Sequence, residues 1–517
     1  MNPWRRKTLF PVSMAMGLLM LFLGTDGWPE PFNGGEERNA ADSQALILAV
    51  DHLKGSGLKG MINLDGEANT MRGVLEHSVH GFSSVRVICP EQNYRWIEIS
   101  QIEKHLNPLR IDSPARLALV YFVYRGISDD TLRLIPDFCT QVDHIDSSHR
   151  VLIADVESHS LNASEAITKL PSTGTAVFCS AFRSDLQLKT PQGDNRLITT
   201  EAFVQGLGGA ADRNGDGAIT VKELFWFLEK ACNAFVHEPK EGSCAWKADQ
   251  DFLLVKSPMD IYPATGNDLP IGTSRSFAEL DFVWVPPDIF FMGYASAVSK
   301  RNTKPFIDGG CAWHPVRLSS GFWMQRTEIS KGQWKAIMGT EPWKGKTFVQ
   351  EEDNTPAVFV SWDDAQAFIE RLNAQGEGHF RLPTDAEWEY ACQAGSATLP
   401  LFLPKDEFEA GVWYNGNTRD AGESCAHSCG QKKANAWGLQ DMLGNVWEWC
   451  EDFHSPRSGE YELDPEGPET GAMRVLRGRS WFDGYPVESR PQSAWTRCGY
   501  RPDFRACMVG FRVCRDP

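Results

Sequence analysis

Arg381-Leu-Pro-Thr-Asp-Ala-Glu-Trp-Glu-Tyr390 and Gly444-Asn-Val-Trp-Glu-Trp449 are the two stretches on which the fold of this chain turns. Outward from them, Val283-Trp-Val-Pro, Met292-Gly293, Thr327-Glu328, Val360-Ser-Trp-Asp-Asp-Ala365 and Gly510-Phe-Arg512 complete a series that runs from Phe277 to the end. This half is rich in tryptophan and glycine and carries few long periodic runs. Such a composition implies a compact, loop-heavy fold organised by the burial of aromatic rings.

In kind and order these motifs resemble the formylglycine-generating enzyme (sulfatase-modifying factor) family, across residues 277–517. The resemblance implies an α+β, loop-rich domain related to the C-type lectin fold. Enzymes of that family oxidise a sulfatase cysteine to formylglycine with oxygen and a copper ion held by two cysteines, and soft thiolates suit Cu(I). Those cysteines follow a Gly-Gly-Ser-aromatic motif, which here reads Arg477-Gly478-Arg479-Ser480-Trp481-Phe482-Asp483. Alignment puts Asp483 and Ser489 at the two positions, and neither holds Cu(I). Copper is therefore not expected, and the expected role is a silent module whose former substrate groove binds a peptide or protein ligand. The alternative is a formylglycine-generating oxidase acting through displaced cysteines, Cys498, Cys507 and Cys514. The resemblance also implies a calcium site with carboxylates from Asp441 and Glu448 and carbonyls from Gly444 and Val446, all hard oxygen donors.

In the first half, short apolar runs at 46–50, 85–88, 117–123, 151–153 and 175–179 alternate with helix-like segments, which predicts a parallel sheet covered by helices. Chemistry in such sheets sits just beyond the strands' carboxyl ends, here Tyr124-Arg125-Gly126 and Asp155-Val-Glu157-Ser-His-Ser160. The order of elements over 41–235 resembles the caspase-like (metacaspase-type) peptidase domain, an α/β fold. That family carries Gly-His-Gly in the first loop and Asp-x-Cys-His-Ser-Gly in the second. Arg125 stands for the histidine and Glu157 for the cysteine, and neither supplies a nucleophile or its base. The resemblance implies a pseudo-peptidase, with an Arg125–Glu157 ion pair across the vacated cleft.

Asp212-Arg-Asn214-Gly-Asp216-Gly217-Ala218-Ile-Thr220-Val-Lys-Glu223 matches the twelve-residue EF-hand loop at every constrained position. Asp212, Asn214 and Asp216 offer side-chain oxygens, Ala218 its carbonyl, Thr220 a direct or water-mediated contact and Glu223 two oxygens, so calcium is the expected cofactor. With a single loop visible, a structural role is expected rather than a sensing one.

Residues 236–276, broken by Pro239, Pro258, Pro263 and Pro270, read as an interdomain linker. Arg5, Arg6 and Lys7 before an apolar run at 9–23, with Thr25 and Gly27 after it, read as a signal peptide over 1–27. Export to a periplasmic, cell-surface or secreted location follows, with an uncleaved membrane anchor as the alternative. The 51 Lys plus Arg against 68 Asp plus Glu give a net charge of -17, and no stretch interleaves basic and aromatic residues, which argues against nucleic acid. Thirteen cysteines leave at least one unpaired. For Cys425 and Cys429, flanking His427, a local disulfide or two separate bridges is expected over a zinc site.

Overall fold

The structure is a computed structural model. It describes residues 43–51, 84–88, 115–125, 147–157, 175–182, 188–189, 195–235, 242–256, 269–293, 313–395, 405–420, 424–457, 459–484 and 496–517, with isolated positions between the first strands. The signal-peptide reading and Ser489 lie outside the described residues.

Strands β1 (Ser43–Asp51), β2 (Ser84–Ile88), β3 (Ala115–Arg125), β4 (Ser147–Glu157) and β5 (Thr175–Phe182) run parallel in the order β2-β1-β3-β4-β5. Every residue of β5 is buried, so both its faces are covered, as the near-continuous apolar run Thr-Ala-Val-Phe-Cys-Ser-Ala-Phe requires. Tyr124 pairs with Val156, so Arg125 and Glu157 end neighbouring parallel strands. The two predicted loops therefore leave the same end of the sheet.

Helices α1 (Ile198–Gln205) and α2 (Val221–Phe235) flank the cation-type loop, whose exit forms strand β6 (Ala218–Thr220). The stretch read as a linker is partly structured. Strand β7 (Gly242–Lys247) joins β5 antiparallel as the sheet's sixth strand, and β8 (Leu253–Lys256) pairs with β6. Both fit between Pro239 and Pro258, so those prolines bound short strands instead of breaking a long one.

Strands β9 (Ser274–Phe277), β10 (Leu280–Val285), β11 (Asp288–Met292), β12 (His314–Leu318) and β13 (Phe322–Gln325) open the second half. Helices α3 (Lys331–Met338), α4 (Trp362–Asn373) and α5 (Asp385–Gln393) follow, each started by a reciprocal capping box at Ser330/Gln333, Ser361/Asp364 and Thr384/Glu387. The Arg-Leu-Pro-Thr motif is thus a helix start, with Arg381 gripping Glu387 at 2.6 and 2.7 Å. Strand β14 (Phe380–Arg381) precedes α5, and β15 (Trp447–Phe453), β16 (Arg474–Arg477), β17 (Arg497–Tyr500), β18 (Val509–Gly510) and β19 (Cys514–Arg515) complete the fold. The order β9-β10-β13-β19-β14 makes one sheet and β17-β16-β15-β18 another. Between them lie Trp284, Trp323, Trp334, Trp343 and Trp449, which bears out the aromatic core expected from composition. Among the described residues no helix is long and apolar enough to cross a membrane.

Arg512 and Glu448 form a fully buried pair joined by two 2.7 Å bonds. The remaining Arg512 N–H groups donate to the carbonyls of Gln325, Arg326 and Gln440. The two halves share a core: Phe227 of α2 packs on Phe291 at 5.2 Å, and Phe291 stacks on Trp313 at 4.4 Å. Lys230 donates to the Ile289 carbonyl at 2.5 Å, Arg213 pairs with Asp288, and Arg317 donates to the Asp212 carbonyl.

Two expected outcomes follow from these buried charges. Arg512→Met strands Glu448 and lowers unfolding stability by about 3–5 kcal/mol, while adding Glu448→Gln recovers part of that loss in denaturant titration. Asp155 of β4 accepts from Ser180 through one oxygen while its other is buried without a partner, and burial pushes its carboxyl up to about 6. With the folded value above the unfolded one, its contribution is complete below about pH 4 and is lost as pH rises through 6. Asp155→Asn removes that slope, so wild type loses about 3 kcal/mol relative to the variant between pH 4 and 8.

Candidate functional site

The Gly-Asn-Val-Trp-Glu-Trp segment enters β15 through two left-handed residues, Asp441 and Asn445, each at φ 55°. Gly444 between them has φ 81°, and a β-carbon there would meet the Trp413 carbonyl at 2.2 Å, so only glycine fits. Asn445 is fully buried and ties three strands of chain together. Its amide donates to Glu328 at 2.9 Å and to the His427 carbonyl at 3.2 Å, while its oxygen accepts from the His427 N–H at 2.9 Å.

Asp441 accepts from the Gly430 N–H at 2.6 Å through one oxygen, and the other is buried without a partner. Burial pushes its carboxyl up to about 6, and burial with the nearby Asp441 charge raises Glu328 well above the carboxylate range. The Glu328 Oε2 accepts no N–H or O–H, with the Cys429 thiol as its polar neighbour. Glu448 departs from the resemblance-based ligand set. Arg512 takes both its oxygens and the Trp388 indole donates to one of them at 2.7 Å, so its charge is already answered. Val446 is a core residue and the Gly444 N–H bonds the Gly478 carbonyl. The four residues Asp441, Gly444, Val446 and Glu448 are neighbours, but Glu448 does not fit a calcium ligand in this arrangement. Glu328 and Arg512 were visible in the sequence only as motif letters, because their partners are remote: Asn445 lies 117 residues from Glu328, and Glu448 lies 64 from Arg512.

At the position that the resemblance aligns with a copper cysteine, Asp483 closes a turn. Its Oδ2 accepts from the Ser480 N–H at 2.9 Å and the Ser480 hydroxyl at 2.8 Å, and its carbonyl accepts from Asn415. Arg479, where the family motif has glycine, adopts φ 63°. Cys498 lies on β17 in the sheet of β15, whereas Cys514 lies on β19 in the other sheet. Burial pushes Cys498 up to about 12 and raises Cys507 and Cys514 as well. Among the described residues no three His, Cys, Asp or Glu side chains converge on a common metal position. Beside Asp483, Phe482 and Phe348 are 56% and 58% exposed and flank the buried Trp481 at ring distances of 5.7 and 6.4 Å.

The 212–223 loop is organised by its own side chains. Asp212 accepts from the N–H groups of Gly215 at 2.8 Å and Gly217 at 3.1 Å, Asn214 from Asp216 at 2.9 Å, and Asp216 from Ala218 at 2.8 Å. Glu223 accepts from Thr220 N–H at 2.9 Å. Gly217 at φ 81° makes the sharp turn that the sequence assigned to it. Burial raises both Asp212 and Glu223, and neighbouring carboxylates add to each shift, a crowding that a hard cation relieves. The donors fit calcium in kind, as carboxylates, an amide oxygen, the Ala218 carbonyl and a hydroxyl, while in this structure Asp212, Asp216 and Glu223 are turned onto the loop's own N–H groups and do not converge on one point.

Cys429 is a thiol, which corrects the disulfide expected for it, whether local to Cys425 or a separate bridge. The segment between them is pinned by Asn445 on His427 and by the Cys429 N–H on Asn354, while the His427 ring stacks on Trp413 at 3.8 Å.

The Sulfatase-modifying factor enzyme 1-like domain matches residues 271–517. The formylglycine-generating enzyme of Thermomonospora curvata is 34% identical over 202 residues, 36% of this chain and 64% of that protein. The inactive C-alpha-formylglycine-generating enzyme 2 of Mus musculus is 30% identical over 267 residues, 49% of this chain and 73% of that protein. The chain spans about three fifths of the length of the first bacterial enzymes it matches. Caspase-1 of Spodoptera frugiperda is a structural match at 12% identity, covering 46% of this chain and 99% of that one with a TM-score of 0.28, a value that adds nothing to the strand order itself. Motif order, the buried glycine-rich entry to β15 and these relatives converge, and the chain belongs to the sulfatase-modifying factor, or formylglycine-generating enzyme, family.

Proposed function

We propose that this is an exported, calcium-stabilised protein in which a catalytically silent formylglycine-generating-enzyme-like domain binds a peptide or protein ligand. The observation that carries the reading is Asp483, whose carboxylate closes a turn where a copper-binding thiolate belongs. Copper is not expected: Asp483 and Ser489 align with the family's two copper cysteines, and of the displaced thiols Cys498 and Cys514 lie on different sheets, whereas Cu(I) calls for converging soft thiolates. A relative that bears the word inactive in its name supports the same reading. Phe348 and Phe482 on either side of Trp481 supply an apolar platform beside the old catalytic position, suited to an extended peptide. The caspase-like reading of the first half, with Arg125 and Glu157 at the ends of adjacent strands, adds a pseudo-peptidase rather than a second activity. Calcium belongs at 212–223, held by Asp212, Asn214, Asp216, Ala218, Thr220 and Glu223.

The full chain, incubated with Cu(I), oxygen and a sulfatase-type cysteine peptide, is expected to leave the peptide's mass unchanged while a cysteine-bearing relative converts it. Formylglycine in the product would establish the oxidase reading through displaced thiols. Phe482→Ala is expected to weaken binding of a fluorescent form of that peptide by about tenfold in anisotropy, with the unfolding midpoint held. Millimolar calcium is expected to raise the midpoint by several degrees, about 3–4 kcal/mol at a large excess over Kd, and Glu223→Gln to abolish most of that rise.

A further inference from the structure

Helix α2 carries Cys232 on its inner face, fully buried, and the edge strand β7 carries Cys244, half-buried and opposite Ser180 of β5. Cys244 touches Asn233, the neighbour of Cys232 on α2, and Ser180 opposite Cys244 bonds Thr199, the residue beside the Cys232 sulfur, so the two thiols meet where the strand docks on the helix. The Cys244 Sγ also donates to the Glu229 carbonyl at 3.8 Å and to Asn233 at 3.5 Å, both on α2, while Thr199 sits 3.9 Å from the Cys232 Sγ. Independent contacts hold the helix and strand in this docking: the Trp246 indole donates to Glu229 at 2.8 Å, and Trp246 packs on Phe225 at 6.0 Å.

We propose that Cys232 and Cys244 are a redox modification site, a dithiol that closes to an intramolecular disulfide on exposure to a small disulfide oxidant such as glutathione disulfide. Cys244, the more accessible thiol, attacks the oxidant as the thiolate, forming a mixed disulfide and expelling one glutathione thiolate. Deprotonated Cys232 then attacks the Cys244 sulfur, forming the Cys232–Cys244 bond and expelling the second glutathione. Two thiols are oxidised and one disulfide is reduced to two thiols, which take up the two protons released. The burial that raises the Cys232 thiol makes it the resolving partner and not the first attacker. The bridge ties the helix that leaves the 212–223 loop to the free edge of the six-stranded sheet.

The full-length protein is equilibrated with glutathione disulfide, its remaining thiols are alkylated, and it is digested with trypsin without reduction. Cleavage after Lys230, Lys240 and Lys247 places Cys232 in peptide 231–240 and Cys244 in peptide 241–247. The expected product is those two peptides joined, separating on reduction and absent in Cys244→Ser. Oxidation is expected to raise the unfolding midpoint of wild type by about 5 °C and to leave that of Cys244→Ser unchanged. Recovery of the two peptides singly, alkylated or glutathionylated, while the half-buried Cys507 takes up glutathione would overturn the proposal. So would a joined pair accompanied by a lower midpoint, which would mean that the bridge forms only in unfolded chains.

Discussion

The C-terminal half is assembled around one buried charge pair. Arg512 comes from the last turn of the chain and Glu448 from the central strand β15, and neither is exposed to water. An arginine so placed must satisfy every N–H it carries, and it does so on the carbonyls of Gln325, Arg326 and Gln440 besides the carboxylate. Four remote segments are thereby fixed at one point. The loop-heavy character of the domain is affordable because this hub does what long ladders of backbone bonds do elsewhere.

The same hub decides what the neighbourhood can bind. With both Glu448 oxygens taken by a guanidinium, the neighbouring carboxyls of Asp441 and Glu328 feel that cation only at a distance, and burial raises both. At Asp483 the chemistry is likewise consumed by architecture, since a carboxylate that caps Ser480 has no remaining task. The proposed function accordingly rests on the exposed rings of Phe348 and Phe482 and on the 212–223 loop.

Much of this was legible in the chain itself. The capping box hidden in Arg381-Leu-Pro-Thr-Asp-Ala-Glu387, the glycine at 444 and the spacing of 212–223 are local, and local geometry writes itself into short motifs. The parallel strands of the first half were legible because β-branched runs buried on two faces leave little room for polar residues. What escaped were long-range partners. Glu328 meets Asn445, and Cys232 meets Cys244 across a sheet edge, and no periodicity announces either. The strands at 242–247 and 253–256 escaped for a different reason: short strands between prolines look like a linker until a neighbour supplies the hydrogen bonds.

Phe291 and Trp313 belong by sequence to the second half, yet they are buried in the core of the first, against Phe227. Two domains that share a core cannot be exchanged like beads on a string. Either half joined to a new neighbour exposes an aromatic face that only its present companion covers, and a lineage that shuffles these modules must first rebuild that face. The α/β unit and this family's fold therefore bury one continuous aromatic surface, and a cavity cut at Phe291 is felt in both.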